Sequence, residues 1–175
     1  TSYKGKMTGS FGKYSIVSFN GNKIITSSGG GMLLCNGEDG ENDAKKALFW
    51  STQAREPERF YQHKELGYNY RMSNIVAGIG RGQLKVLSDR IDKKRKIYCC
   101  FKEAFKDIEE ITMMPINDNI QRSNCWLSCL LLSEDSSVTP LDIQLELEKH
   151  NIEARPVWKP MHMQPLFAEN DFISA

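Results

Sequence analysis

At 175 residues, 40% hydrophobic and 26% charged, the chain can bury a core as one domain or as two partial ones, and nothing in its composition points to disorder. A formal net charge of +1 gives no global attraction to nucleic acid or an anionic membrane. No apolar run approaches the ~18 residues of a membrane span and the N-terminus lacks the apolar core of a signal peptide, so the expectation is a soluble, cytoplasmic protein with neither a membrane nor a nucleic acid as partner. Cys35, Cys99, Cys100, Cys125 and Cys129 show no CxxC spacing and no paired histidine. They read as reduced thiols; with His63, His150 and His162 scattered, no metal site is expected.

In chain order, residues 3–12 form a polar, turn-rich approach to a first strand. Tyr14-Ser15-Ile16-Val17 reads as a short buried strand, and Ser18-Phe19-Asn20-Gly21-Asn22-Lys23 as the turn at its end. A lysine amine becomes a nucleophile toward carbonyls when desolvation or a nearby cation lowers its pKa, and a strand end leading into a glycine-rich turn can hold Lys23 in a cleft. The plain alternative is a solvated surface charge. Gly29-Gly30-Gly31 offers a phosphate cradle in one reading. It has no Walker pattern and precedes a predicted strand at 32–35, so the other reading is a strand entry whose glycines leave room beside Lys23.

Asp43 is the predicted cap of a helix running to about Thr52. Residues 53–66 then form a polar and aromatic loop with few apolar anchors, of the kind that borders sites. In Gly67-Tyr68-Asn69-Tyr70-Arg71-Met72-Ser73-Asn74, Ser73 is placed to cap a helix whose small and apolar residues suit close packing. Asn69 and Arg71 are either phosphate donors ahead of that helix or ordinary polar flanks. From Ser88, Ile91, Arg95, Tyr98, Phe101 and Phe105 repeat at helical spacing between charges, as in a solvated connecting helix. The remainder reads as an apolar strand at 125–132, a helix started by Thr139-Pro140, and a returning strand at 152–157, together a small α/β layer.

Three separated segments resemble one known family, the PLP-dependent sugar-nucleotide aminotransferases of the DegT/DnrJ/EryC1/StrS type. They are the Ser18 to Lys23 run with its triple glycine and Met32-Leu33-Leu34; the Gly67 to Asn74 run with Ala77-Gly78-Ile79-Gly80 and Gln83-Leu84; and Arg155-Pro156-Val157-Trp158-Lys159-Pro160-Met161-His162 with Gln164-Pro165. The resemblance implies that Lys23 carries pyridoxal 5'-phosphate as a Schiff base and is the catalytic residue. It implies that Ser18 and Asn20 contact the cofactor, Ser18 at the phosphate. It further implies that Asn69 reaches the phosphate of a neighbouring subunit, with Arg71 beside it among the substrate-facing residues, and hence a homodimer. Trp158 and His162 are implied sugar-nucleotide contacts; a Pro-braced aromatic packing under the small domain is the structural alternative for each.

The implied fold is α/β, part of a fold-type I aminotransferase. Residues 1–87 would close the large PLP-binding domain, and 88–175 would hold the connecting helix and an incomplete small C-terminal domain. The implied reaction moves an amino group, with glutamate the family's usual donor, onto a nucleotide-linked 4-keto-6-deoxy sugar in surface polysaccharide or glycan biosynthesis. Lysine in place of histidine argues against the family's dehydratase branch. The family's upstream phosphate cup, ring-stacking aromatic and ring-nitrogen acid have no counterpart here, so the expectation is the C-terminal half of a larger enzyme, weak in PLP binding and turnover alone. The alternatives are a fold-type I binding or assembly module without catalysis, and a PLP enzyme acting on amino acids.

Overall fold

The computed structural model describes residues 1–173 of the chain. Ser174 and Ala175, the last residues of the expected second domain, lie outside the described residues. The chain groups into two compact units, Thr1–Phe101 with Pro115–Ser128, and Lys102–Met114 with the chain from Cys129 onward. This grouping rests on contacts within the chain, whereas the expected 1–87 and 88–175 division concerns inherited domains.

In the first unit, β1 (Ser2–Tyr3) lies between β2 (Lys6–Met7) and β6 (Gln121–Arg122), antiparallel to both. A second sheet pairs β3 (Tyr14–Ser18) with β4 (Gly31–Cys35), Val17 opposite Met32 and Ser18 opposite Gly31. The alternation of β3 is half-buried at Ser15 and Val17 and open at Ile16, which is 84% exposed. The expected buried strand is therefore a two-sided one, with one face uncovered within this chain.

Helix α1 (Gly40–Ser51) starts three residues before the expected cap. Asp39 occupies the cap position, and Asp43 instead accepts the Tyr14 hydroxyl at 2.8 Å and pairs with Lys13 at 3.4 Å, tying α1 to β3. Helix α2 (Asn74–Leu84) begins as its sequence predicts, with Ser73 Oγ accepting the Val76 amide at 3.3 Å. Helix α3 (Leu87–Ala104) buries Tyr98 and half-buries Ile91 and Arg95. Arg95 donates to the Ser123 carbonyl and to Asp118, both at 2.8 Å, so the guanidinium fixes the chain that leads to residue 126.

The second unit pairs β5 (Ile111–Met113) antiparallel to β7 (Leu130–Leu132) and adds α4 (Pro140–Lys149). Thr139 and Asp142 form a capping box. Two expected strands are corrected here. The apolar run 125–132 is a strand only over its last three residues. Ser123 Oγ accepts the Cys125 amide and Asn124 Oδ1 the Trp126 amide, both at 3.2 Å, and Cys125 takes a φ of +49°. These side chains satisfy the backbone in a turn and so compete with a ladder. Residues 152–157 form no strand and join no sheet among the described residues. Pro156 lacks a donor, and Glu153 and Arg155 pair with each other at 2.7 Å instead of with a neighbour.

Candidate active site

Lys23 sits in a loop of residues 19–30 that joins β3 to β4. Its ends close on each other, the Phe19 amide donating to the Gly30 carbonyl at 3.1 Å. The Phe19 carbonyl accepts both the Ser27 amide at 3.1 Å and Thr26 Oγ1 at 3.0 Å. Thr26 Oγ1 takes the Ser28 amide at 2.9 Å, and Ser27, 1% exposed, donates its hydroxyl to the Gly29 carbonyl at 2.7 Å. The return needs left-handed backbone, supplied by Ser28 at φ +70° and Gly30 at +86°. At Gly30 a Cβ would come within 2.7 Å of Met72 Cε, so Met72 ahead of α2 packs on this loop at a position whose left-handed backbone favours glycine. A Cβ at Gly80 of α2 would lie 3.8 Å from Ser27 Cβ, at ordinary van der Waals distance.

Three of the predicted residues meet where β3 runs into this loop. The Asn20 amide donates to Ser18 Oγ at 3.3 Å, and the Lys23 amide donates to the Asn20 carbonyl at 3.1 Å. Ser18 thus keeps its own proton to donate elsewhere, and the Asn20 side chain is exposed. Lys23 is half-buried, with Nζ 3.7 Å from the centroid of the Trp126 ring. A cation over an indole face contributes about 0.5–1 kcal/mol at exposed sites and more when desolvated. The same indole donates through Nε1 to the Asn22 carbonyl at 2.8 Å. Sequence reasoning missed Trp126 by placing it in a strand. The pair Ser123-Asn124, both turn formers, was the available signal.

Asn69 and Arg71 precede the Met72 that packs on Gly30, and their backbone pairs with the end of α1. The Tyr68 amide donates to the Trp50 carbonyl at 2.7 Å, and the Tyr70 and Arg71 amides share the Ser51 carbonyl at 3.0 and 3.1 Å. Asn69 bridges to Thr52, and Tyr68 and Tyr70 stack at 4.9 Å. The backbone is consumed against the end of α1 while the Asn69 and Arg71 side chains are exposed. Next to it, residues 53–67 are pinned by polar contacts where apolar ones were expected to be few. Lys46 and the Trp50 indole donate to Glu65 Oε2 at 2.7 and 2.9 Å, and these bonds hold the Glu65 carboxyl below the ordinary carboxylate range, the Lys46 bond most. His63 Nδ1 lies 2.8 Å from the Gln53 carbonyl, and Arg55 stacks 4.2 Å over Tyr61. A cleft of about 410 Å³ opens there, lined by Gln53, Tyr61, His63, Glu65, Leu66 and Gly67.

Trp158 and His162 belong to the second unit. Trp158 is 67% exposed in the irregular segment after α4, and His162, in a single 3₁₀ turn (Met161–Met163), stacks on Phe172 at 4.2 Å and 11°.

Comparison with known proteins gives this arrangement a setting. Spr1654 of Streptococcus pneumoniae, solved in its PLP form, superposes with a TM-score of 0.85 at 21% identity over 97% of this chain and 44% of its own. The fold is that of a fold-type I PLP aminotransferase. The chain belongs to the DegT/DnrJ/EryC1/StrS aminotransferase family, which it matches over residues 1–174. EpsN of Bacillus subtilis (strain 168), named for a pyridoxal phosphate-dependent aminotransferase assignment, is 51% identical over 99% of this chain and 43% of its own length. The GDP-perosamine synthase of Caulobacter vibrioides is 33% identical over 95% of this chain and 44% of its own. The chain therefore spans about two-fifths of the length of these relatives. The family's cofactor is pyridoxal phosphate.

Proposed function

We propose that this chain is the lysine-bearing part of a PLP-dependent sugar aminotransferase, with residues 1–87 belonging to its large domain and 88–175 to the connecting helix and its small domain. In this reading the enzyme transfers an amino group from glutamate to a nucleotide-linked 4-keto-6-deoxy sugar, in the cytoplasm, for surface polysaccharide or glycan biosynthesis. The observation that carries it is the turn at the end of β3 in which Ser18 Oγ accepts the Asn20 amide and the Asn20 carbonyl accepts the amide of a half-buried Lys23. The GDP-perosamine synthase relative supports a nucleotide-linked sugar as substrate.

The donor set suits a phosphorylated aldehyde. Lys23 offers a primary amine for the carbonyl carbon, and Ser18 Oγ and the exposed Asn20 carboxamide offer neutral donors for phosphate oxygens. Bound pyridoxal phosphate supplies the aldehyde and an aromatic ring that stores the electrons of a deprotonated carbon. Lys23 Nζ would hold the cofactor's carbonyl carbon and, as a free amine, would take the proton from the amine-bearing carbon and deliver it to the carbon that becomes the new amine carrier. Asn69 and Arg71, exposed on the pairing beside α1, would serve the site of a second copy, which makes the working unit a homodimer. Trp158 and His162 would face the sugar nucleotide.

Borohydride reduction in the presence of PLP, followed by peptide mapping, tests the assignment. Label on the peptide holding Lys23 is the expected result, and its absence there sinks the reading. Amino transfer from the pyridoxamine form to a nucleotide-linked keto sugar, in preference to a simple keto acid, tests the substrate class.

A further inference from the structure

We infer that Trp126 is a positioning residue for Lys23, holding both its side-chain amine and its backbone; the role toward the cofactor rests on the function proposed above. Two independent contacts converge from one side chain that is remote in sequence. The indole face lies under Lys23 Nζ at 3.7 Å, and the indole N–H donates to the Asn22 carbonyl, in the peptide that leads into Lys23, at 2.8 Å. The first contact restrains where the ammonium rests, because the ring's negative face attracts a cation directly above it. The second restrains the direction in which the lysine leaves the chain.

Trp126 is itself held from behind. Its amide donates to Asn124 Oδ1 at 3.2 Å, the Asn124 amide donates to Thr1 Oγ1 at 3.2 Å, and the Ser123 carbonyl is fixed by Arg95 of α3 at 2.8 Å. Cys125, buried at φ +49°, completes the turn. A supported aromatic platform of this kind limits the volume that a four-carbon side chain can sample. Lys23 is thereby presented from a narrow set of positions.

The test is site-resolved amine labelling of the full chain by brief reductive dimethylation, with Lys85 as internal control. Trp126→Leu should raise the labelling rate of Lys23 on the order of threefold over Lys85, and Trp126→Phe, which keeps an aromatic face and loses the N–H, should fall between. An unchanged Lys23 rate in a Trp126→Leu chain that keeps its circular dichroism overturns the inference. Where that variant does not fold, the decision moves to Trp126 emission in a Trp50→Phe, Trp158→Phe background. Lys23→Met should shift that emission, and an unshifted spectrum overturns the inference. Borohydride labelling with PLP on the same samples separates the two claims. A Trp126-dependent amine that takes no cofactor label leaves the contact standing and removes the proposed enzyme reading alone.

Discussion

Two loops of the first unit are held by different chemistry. Residues 19–30 close through backbone groups and hydroxyls: Phe19 to Gly30, Ser27 to Phe19, and Thr26 and Ser27 as internal braces. Residues 53–67 rely on ionic and aromatic contacts: Lys46 and Trp50 of α1 reach Glu65 from outside, while Arg55 over Tyr61 and the close approach of Gly67 to Gln53 and Ala54 are internal. Hydroxyl and amide bonds do not titrate near neutral pH, whereas an exposed ion pair depends on charge and salt. The self-closed loop carries the proposed cofactor lysine, which must return to one position in every turnover. The second loop borders an open cleft and is the one whose hold on α1 depends on an ion pair, between Lys46 and Glu65.

The largest expected effect separates chemistry from structure in the first loop. Lys23→Ala should abolish reducible PLP labelling of that peptide, because Nζ is the amine that the reading requires. Its fold should persist, since the bonds closing residues 19–30 use the Lys23 backbone only. Peptide mapping and circular dichroism on the same sample check both halves. Persistent label at the wild-type level would show another lysine to be the attachment point.

Next comes a break of the second loop. A Cβ at Gly67 would lie 2.0 Å from the Gln53 carbonyl carbon and 2.3 Å from the Ala54 nitrogen. Gln53 and Ala54 are already left-handed, at φ +71° and +48°, and Ala54 is fully buried, so neither can yield cheaply. Gly67→Ala should therefore cost about 3 kcal/mol, read from the midpoint of denaturant unfolding at constant slope. A smaller brace exists in the first loop, where Thr26 Oγ1 both donates to Phe19 and accepts from Ser28. Thr26→Val keeps the shape and removes both bonds, for a loss of about 1 kcal/mol in the same measurement.

What was legible in the sequence divides along the same line. Ser73 before an apolar period announced α2, and Thr139-Pro140 announced α4, because caps and periodicity are local. The Ser18, Asn20 and Lys23 turn was legible for the same reason, lying within six residues at a strand end. The supports were not. Trp126 reaches Asn22 across 104 positions, and Lys46 reaches Glu65 across 19, and no spacing rule encodes either. Within 125–132 the apolar run outweighed the turn chemistry of Ser123 and Asn124, and at 152–157 an extended pattern had no ladder to join. Local preference set the elements, while pairing across the chain decided which of them became strands.

The smallest effect is the one that sharpens the contrast between the loops. Glu65 is held below the ordinary carboxylate range by its bonds to Lys46 and Trp50, with desolvation opposing. A group whose folded pKa is depressed contributes stability above its unfolded pKa and loses it as pH falls through the folded one. Acidification below the ordinary carboxylate range should therefore loosen residues 53–67 while leaving 19–30 closed, since no carboxylate takes part in the bonds that close the latter. Hydrogen exchange resolved by peptide should show the difference as a fall in protection at 53–67 alone. Glu65→Gln should lower that protection at neutral pH and flatten its pH dependence, leaving the share of the Glu56–Lys64 pair at 3.8 Å, because the amide cannot pair with Lys46 as a charge. Equal loss in both loops would mean that the lysine loop, too, leans on a carboxylate beyond its own backbone.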